Sequence, residues 1–275
     1  MTEYDSCRYA DDKVAYGKEW LKRHNNIDYE TLNMDLFPER VISYKLDDLS
    51  SYKPFLSDKL NAKDFLVKAG IPEIHIPTVL SGRTKLSVKD LLGLPEGNYI
   101  IKCGHASGWN FYFSRNDKFE TLSRIVDKVN EYMTLNYAYI AGYEWQYESI
   151  TPGYIIQKVF DKNMIDYQFF YEDGNLISVD MQIKADRNHV LHIYYGSPDG
   201  NMIDHYIGSC PILKTLTKKD KNTIQEILPY AEILSKYDNK NIKFARIDFL
   251  YYDEKPYFCE YTFSPYAGNL TYTIL

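Results

Sequence analysis

The chain has 275 residues, and 45% of them are hydrophobic, which is enough to fill the core of one or two domains. A net charge of -6, without a basic block or a nucleic-acid motif, argues against a nucleic-acid partner. With no signal peptide, no apolar run of membrane-spanning length and four scattered cysteines, the sequence is typical of a cytoplasmic protein with reduced thiols.

In chain order, the first half predicts helices separated by short strands. A helix is expected over 11–24, and another from an N-cap at Ser57 through Ala69, where Gly70 ends it. The further elements predicted in this half are a strand over 74–80, a helical turn capped by Ser87 with Asp90, a strand over 98–103, and an amphipathic helix that carries Leu122, Ile125, Val126, Val129 and Met133.

The second half predicts hairpins around one long helix. Asp173-Gly174-Asn175 is a strong turn signal between two strands, and Pro229 is expected to bend the helix. Because successive strands are joined by turns, we expect an α+β fold with largely antiparallel sheets. No G-x-G-x-x-G or Walker A signature supports a doubly wound nucleotide fold. The elements predicted in this half are strands over 154–160, 166–172, 176–183 and 189–195, a helix over 217–235 and a final hairpin.

The final hairpin carries two acidic residues that can meet on one face of a sheet. Asp248 and Glu260 lie in apolar runs on either side of the turn signal at 253–256. Arg246 precedes Asp248 by two residues and therefore points to the same face. Hard oxygen ligands suit Mg2+ that is shared with substrate phosphates, and a nearby guanidinium suits phosphoryl transfer. A purely structural pair of arginine and carboxylate explains the same pattern equally well.

Two earlier segments have the features of a nucleotide site. A strand that ends near Lys102 is followed by a loop with Gly104 and Gly108, whose backbone N–H groups can approach phosphate oxygens. The apolar strand over 154–160 can offer backbone groups to an adenine edge, and Asp166 stands where a carboxylate could hold a ribose. A plain loop of glycine and serine and an ordinary buried strand account for these segments as well.

Taken together and in order, these segments resemble the ATP-grasp superfamily, and more closely its TupA-like branch, which is named for teichuronopeptide biosynthesis. The resemblance covers the chain from about Asp58 to the C-terminus. The matching pieces are Asp58-Lys59, the loop over 102–110, Trp145-x-Tyr147, the strand over 166–170 with Asp173-Gly174, Arg246-x-Asp248, and the segment 260–265 with Gly268.

The resemblance implies a fold in which two α+β subdomains clamp ATP between antiparallel sheets. It divides the chain into a short helical segment over 1–57, a part with the phosphate-binding loop over 58–153, and a C-terminal part with the metal site over 154–275. Many superfamily ligases have a full α/β domain in place of such a short segment. Substrate recognition is therefore expected to fall to the central and C-terminal parts.

The resemblance also implies a site for ATP and Mg2+. The catalytic residues would be Arg246, at the transferred phosphoryl group, with Lys184 and Arg187 at the γ-phosphate or the substrate carboxylate. Two solvated surface cations explain Lys184 and Arg187 equally well. The ATP-binding residues would be Lys102 at the α- and β-phosphates, His105, Ser107 and Gly108 over the triphosphate, Gln157, Lys158 and Val159 at the adenine, and Asp166 at the ribose. The metal ligands would be Asp248, Glu260 and Thr262.

Three positions depart from the family pattern. Superfamily ligases often carry Asn at the position of Thr262, and a hydroxyl is a poorer Mg2+ ligand than an amide carbonyl. The branch often has Glu at the position of Gln157 and Lys at that of Gln168. Gln157 can still offer its backbone to an adenine, but the charge is lost.

The resemblance implies a ligase reaction, in which ATP phosphorylates a carboxylate and an amine then attacks the acyl phosphate to form an amide. The substrates would be a carboxylate-bearing sugar and an amine or amino acid, in the biosynthesis of a surface polysaccharide such as a capsule. Three alternatives stay open on the sequence alone: a sugar or amino-acid kinase on the same fold, a glycosyltransferase of polysaccharide assembly, and an inactive nucleotide-binding scaffold. The sequence does not specify an oligomeric state.

Overall fold

The computed structural model describes residues 12–140, 142–160, 165–186, 189–196, 216–237 and 242–268, with the backbone alone at 183–186, 189–196 and 266. The α-helices in these ranges are α1 (Lys13–Trp20), α2 (Phe37–Asp47), α3 (Tyr52–Ser57), α4 (Ala62–Lys68), α5 (Val88–Leu92), α6 (Phe119–Tyr132) and α7 (Lys218–Ser235). The strands are β1 (Thr78–Gly82), β2 (Asn98–Cys103), β3 (Asn110–Ser114), β4 (Tyr154–Lys158), β5 (Ile165–Glu172), β6 (Asn175–Asp186), β7 (His189–Gly196), β8 (Phe244–Tyr252) and β9 (Lys255–Thr262).

The first sheet has four strands in the order β1-β4-β2-β3, and its strand pairs are antiparallel. Helix α6 covers it, because Leu122, Val126 and Val129 recur at helical spacing and pack with Tyr99 and Ile101 of β2. The predicted amphipathic helix is thereby confirmed. This small core fixes the direction in which β2 delivers the loop after Cys103.

The second sheet has five strands in the order β7-β6-β5-β8-β9, again paired antiparallel. Its apolar face packs on α7, where Ile227 meets side chains such as Phe169, Ile247 and Phe249, all fully buried. Each such side chain contributes about 1.5–3 kcal/mol through burial. A capping box at Thr217 begins α7, as predicted. Since side chains alternate along a strand, the residues between these apolar ones lie on the opposite face.

The N-terminal helices α1 and α2 pack against each other and contact later segments of the chain. Helix α1 approaches α2 so closely that a Cβ at Gly17 would lie 2.3 Å from the Leu46 side chain. Arg40 of α2 forms an ion pair with Glu172 of β5 at 2.7 Å. Lys13 of α1 forms another with Glu148 at 2.5 Å. These contacts hold α1 beside the second sheet.

The expected α+β fold with antiparallel sheets is confirmed, and most predicted elements are present. Two boundaries are wrong. Ser57 ends α3, and it is the Asp58 carboxylate that accepts the Leu60 N–H at 3.0 Å and begins the next turn. The strand expected from 74 begins at Thr78, because a 3-10 turn occupies Pro72–Ile74. The elements α2, α3 and β3 were not predicted from the sequence.

No helix among the described residues has both the length and the apolar character needed to cross a membrane. The three-part division of the chain at residues 57 and 153 stays a prediction.

We expect Gly142→Ala to destabilise the protein strongly. Gly142 has a φ of 61°, and an added Cβ would lie 2.0 Å from the Ala267 side chain. Gly174→Ala is the matched control, since Gly174 has a φ of 75° but nothing within 4 Å of the added atom. The control should lose about 1 kcal/mol from the left-handed backbone, and Gly142→Ala roughly 1–3 kcal/mol more from overpacking. Urea unfolding measures the loss of stability in both variants. Equal losses would show that the turns at Gly142 and Ala267 do not pack tightly against each other.

Candidate active site

A cavity of about 660 Å3 opens on the polar face of the second sheet. Strands β5, β6, β8 and β9 supply its floor, because alternate residues of these strands point away from the apolar core. Its described lining residues are Trp20, His24, Asn25, Ser107, Tyr137, Gly142, Glu144, Asp166, Gln168, Gln182, Arg246, Asp248, Glu260, Thr262, Ser264 and Ala267. Segments far apart in the chain thus meet in one opening.

Arg246 and Asp248 form a bidentate ion pair on this floor. Arg246 donates from Nε to Asp248 Oδ1 at 2.8 Å and from Nη2 to Oδ2 at 2.6 Å. The same Nη2 reaches the Thr262 hydroxyl at 3.2 Å. A fork of this kind fixes both side chains in orientation as well as in charge. The prediction that Arg246 and Asp248 share a face is confirmed.

Glu260 lies opposite Asp248 in the register of β8 and β9, so the two carboxylates do converge. Lys59, which is buried, binds Glu260 Oε2 at 3.0 Å and donates to the Ala106 carbonyl at 2.8 Å. From the sequence, Lys59 is only part of the matching pair Asp58-Lys59 and has no predicted role. The contact between Lys59 and Glu260 depends on how the start of α4 packs against the second sheet, and local sequence does not predict that packing.

The pKa values of the two carboxylates are shifted in opposite directions. Burial raises the pKa of Asp248, and the Arg246 charge offsets this only in part, while the negative charge of Glu260 raises it further. Burial also raises the pKa of Glu260, but Lys59 and Arg246 outweigh it, so the pKa of Glu260 lies below its usual value. An added cation at this point would relieve the remaining repulsion between the two acids.

The donor set fits Mg2+ better than a transition metal. Asp248, Glu260 and Thr262 offer oxygen atoms only, and in the part of the chain that the structure describes no group of three or more His, Cys, Asp or Glu could hold a metal. Mg2+ is commonly bound by one or two carboxylates and completes its shell with water and phosphate oxygens. The residues present are therefore suited to a metal ion that arrives with a phosphate-bearing substrate.

The loop after β2 approaches the cavity through Ser107. Lys102, near the end of β2, lies outside the lining, although its charge adds to those of Lys59 and Arg246 in lowering the pKa of Glu260. Gly108 adopts a φ of 73° with nothing within 4 Å of an added Cβ, so its side of the loop is open. Ser107 is thus the member of the predicted phosphate loop that faces the floor directly.

His105, in the same loop, points into the protein. Its ring is buried, with Nε2 beside the Tyr132 carbonyl at 3.1 Å and Nδ1 accepting the Gly153 N–H at 3.3 Å. This pattern assigns a neutral imidazole protonated at Nε2. Burial lowers the pKa of His105 below its ordinary value. In this arrangement His105 holds the loop in place instead of covering the cavity.

The predicted adenine strand, β4, belongs to the first sheet, and none of its residues lines the cavity. Val159 donates its backbone N–H to the Asn98 carbonyl at 3.0 Å, and Lys158 is exposed. The Gln157 side chain is buried, and its Oε1 atom has no hydrogen-bond partner among the described residues. Such an orphaned acceptor is costly unless a donor reaches it. Asp166, the predicted ribose ligand, does lie in the cavity wall.

Two of the predicted catalytic cations cannot be placed. Lys184 belongs to the backbone of β6, where it pairs with Val190, but its side chain is outside the described residues. Arg187 lies outside them entirely. Their roles stay predictions.

Several lining residues were missed by the sequence argument. Tyr137 and Glu144 stand at the starts of short 3-10 turns, and Ser264 lies in the matching segment 260–265 without an assigned role. Trp20 ends α1, His24 lies in the π-helical turn over Leu21–Asn25, and their rings stack at 4.1 Å. No periodic pattern marks these positions, because tertiary packing of short turns and helix ends brings them to the cavity.

The family model described as TupA-like ATPgrasp matches residues 40–273. The comparison with curated proteins gave no match. The solved structures that resemble the chain include D-alanine–D-alanine ligase from Bacillus anthracis with ATP, with a TM-score of 0.40, 16% identity, and coverage of 76% of this chain and 55% of that one.

Two further solved structures have a similar level of likeness. D-alanyl-alanine synthetase A from Vibrio cholerae has a TM-score of 0.48 and 13% identity over 85% of this chain and 60% of that one. An L-amino acid ligase from Bacillus licheniformis has a TM-score of 0.48 and 12% identity over 92% of this chain and 55% of that one. The chain therefore spans little more than half the length of these proteins.

We expect the buried neutral His105 to make stability depend on pH. An imidazole with a lowered pKa in the folded state binds its proton more readily when the chain unfolds, so the free energy of unfolding falls as the pH drops below the ordinary value of 6.5. In His105→Asn this contribution disappears, and the fall should be shallower by up to about 1.4 kcal/mol per pH unit.

The matched control is His24→Asn, since His24 is exposed. It should keep the pH dependence of the wild type, to which His75 also contributes because burial lowers its pKa. Chemical denaturation between about pH 7 and pH 5 measures all three proteins. An identical slope in wild type and His105→Asn would contradict the assignment of a neutral buried imidazole.

Proposed function

The chain belongs to the TupA-like ATP-grasp family, and from this we propose that it is an ATP- and Mg2+-dependent ligase that joins a carboxylate to an amine. The observation that carries the proposal is the convergence of Arg246, Asp248, Glu260 and Thr262 on the floor of one cavity, with Ser107 and Asp166 in its wall. Fixed charge of both signs in one opening is what phosphoryl transfer requires of a protein.

In the proposed reaction, a carboxylate oxygen of the substrate attacks the γ-phosphorus of ATP, and ADP leaves. The amine nitrogen then attacks the acyl carbon, the bond from that carbon to the phosphate oxygen breaks, and inorganic phosphate leaves. Arg246 stabilises the negative charge on the transferred group, because its guanidinium is held at the floor by Asp248. Lys184 and Arg187 are proposed to assist at the γ-phosphate or the carboxylate.

Asp248, Glu260 and Thr262 are proposed to hold Mg2+. Bound there, Mg2+ would neutralise phosphate charge and orient the phosphate oxygens for transfer. Lys59 keeps Glu260 ionised and in position, since its ammonium lies 3.0 Å from Oε2. On β8, the neighbouring strand, Arg246 holds Asp248 in position through two hydrogen bonds.

ATP is proposed to lie along the cavity wall, with Ser107, His105 and Gly108 in the loop over its triphosphate. Ser107 and the open backbone at Gly108 reach the phosphates, His105 anchors the loop, and Lys102 adds charge from the end of β2. Asp166 accepts from the ribose hydroxyls. At the adenine, Lys158 and Val159 contribute backbone groups. The side-chain Oε1 of Gln157 has no hydrogen-bond partner among the described residues, which supports the binding of a hydrogen-bond donor at this position.

The proposal extends to the chemical class of the two substrates. We propose a carboxylate-bearing sugar and an amine or amino acid, in the cytoplasmic biosynthesis of a surface polysaccharide such as a capsule, because the matching family is the TupA-like branch. Neutral hydrogen-bonding groups in the cavity, such as Asn25, Tyr137 and Gln168, are compatible with a hydroxyl-rich substrate.

The proposal is tested by ADP release with Mg2+, ATP, a panel of sugar acids and nucleotide-linked uronic acids, and pooled amino acids, with products identified by mass spectrometry. Release of ADP together with a condensation product supports the ligase. A stable phosphorylated product without incorporated amine would indicate a kinase. ATP binding without ADP release would indicate a scaffold, and absence of ATP binding would reject the proposal.

We expect Asp248→Asn to lower ADP release at least about 100-fold, because a fixed charge is removed where charge develops. The variant should still fold, since Asn keeps the shape of the side chain, but with a lower unfolding temperature because Arg246 loses its carboxylate partner. Asp253→Asn, at the exposed tip of the same hairpin, is the matched control and should behave as wild type. ADP release, together with thermal unfolding of each variant, gives the comparison. Full activity in Asp248→Asn would remove the metal assignment.

A further inference from the structure

Another buried carboxylate besides Asp248 lies in the cavity and has no part in the chemistry described so far. Glu144 is only 5% exposed, yet it contributes to the lining. Its Oε1 accepts from the Ser264 hydroxyl at 2.9 Å and from Gln146 Nε2 at 3.4 Å. The hydroxyl of Tyr137 interacts with the side chains of both Glu144 and Ser107. Glu144 is therefore held in one orientation by neutral donors.

Three residues near Glu144 have left-handed backbone conformations. Gly142 and Tyr143 both have left-handed φ values, of 61° and 49°, and Ala267 on the facing turn has a φ of 57°. Such conformations cost of order 1 kcal/mol or more at a residue other than glycine. Buried Lys45 joins the two turns, because its ammonium donates to the Gly142 carbonyl and, at 3.2 Å, to the Ala267 carbonyl. This arrangement delivers Glu144 and Ser264 together.

Among the described residues, neutral groups supply the hydrogen bonds to Glu144. Burial raises the pKa of Glu144, and the Glu260 charge adds to this, while Ser264 and Lys45 act in the opposite direction. The hydrogen bonds of the Lys45 ammonium go to backbone carbonyls. Among the described lining residues, four carboxylates face a single guanidinium, and Asp248 and Glu260 already have Arg246 and Lys59. The acid at 144 is thus suited to a cationic substrate group.

We propose that Glu144, together with Ser264 and Tyr137, binds the nitrogen of the amine substrate and receives the proton that this nitrogen must lose. This inference rests on the proposed ligase function. The substrate ammonium gives one proton to the Glu144 carboxylate, and its freed lone pair forms the bond to the acyl carbon. The carbon–oxygen bond to phosphate breaks, and the second nitrogen proton leaves with the phosphate. Glu144 then returns its proton to water.

The test compares two nucleophiles on the same enzyme with Mg2+, ATP and the sugar-acid panel. Hydroxylamine is largely unprotonated near neutral pH and traps an acyl phosphate as a hydroxamate without needing a base. The pooled standard amino acids and simple alkylamines are protonated and need one. Glu144→Gln should form hydroxamate within about threefold of wild type and lose amide formation by about 100-fold or more.

Glu148→Gln is the matched control, since Glu148 lies four residues on and pairs with Lys13 and Tyr139 instead of lining the cavity. It should keep both activities. Ser264→Ala provides a second variant that leaves the carboxylate in place, and it decides by the same comparison if Glu144→Gln does not fold. A purely structural role would lower hydroxamate and amide formation together.

The outcomes separate the two proposals. A wild-type protein that forms neither hydroxamate nor amide contradicts the ligase function, and this inference falls with it. A wild type that forms hydroxamate but no amide from any amine overturns the amine site alone. Equal loss of both products in Glu144→Gln, with Glu148→Gln unaffected, also overturns it. Selective loss of the amide establishes it.

Discussion

The ion pair between Arg246 and Asp248 is the interaction on which the cavity floor depends. Two acids on neighbouring antiparallel strands repel each other, and a buried pair of like charges would open the sheet or become protonated. The bidentate guanidinium compensates one of them, and Lys59 compensates the other from a different part of the chain. Removing one partner of such a buried pair is far more disruptive than the net gain from forming it. The charges therefore hold the floor in one geometry before any substrate arrives.

The part of this floor that local sequence predicts is the part that strand geometry controls. A separation of two residues places Arg246 and Asp248 on one face, and the turn signal at 253–256 predicts the hairpin. The alternation that buries Ile247 and Phe249 on α7 is visible in the same residues. The pairing of Asp248 with Glu260 also needs a register shift between Asp248 and Phe249, which periodicity and turn chemistry do not predict.

The remaining groups could not be predicted in this way, because they reach the cavity through tertiary contacts. Glu144 and Ser264 are 120 positions apart and meet only where two left-handed turns pack together. His105 was expected over the triphosphate because it stands in a glycine-containing loop, but nothing in the loop sequence shows that its ring accepts the Gly153 N–H. Ser107 and Asp166, two residues that the resemblance marks, do line the cavity, whereas the direction of each side chain depends on burial.

The contact between Lys59 and Glu260 has a consequence for how the protein is made. Lys59 precedes α4 and Glu260 lies in β9, so this contact closes a loop of about 200 residues. Contacts of such high sequence separation form slowly, since loop closure costs entropy before any contact repays it. On the ribosome, the early helices and the four-stranded sheet can assemble while β9 is still being synthesised. The ammonium of Lys59 then has no carboxylate at Glu260 to bind, and the floor of the cavity stays incomplete until β9 has emerged.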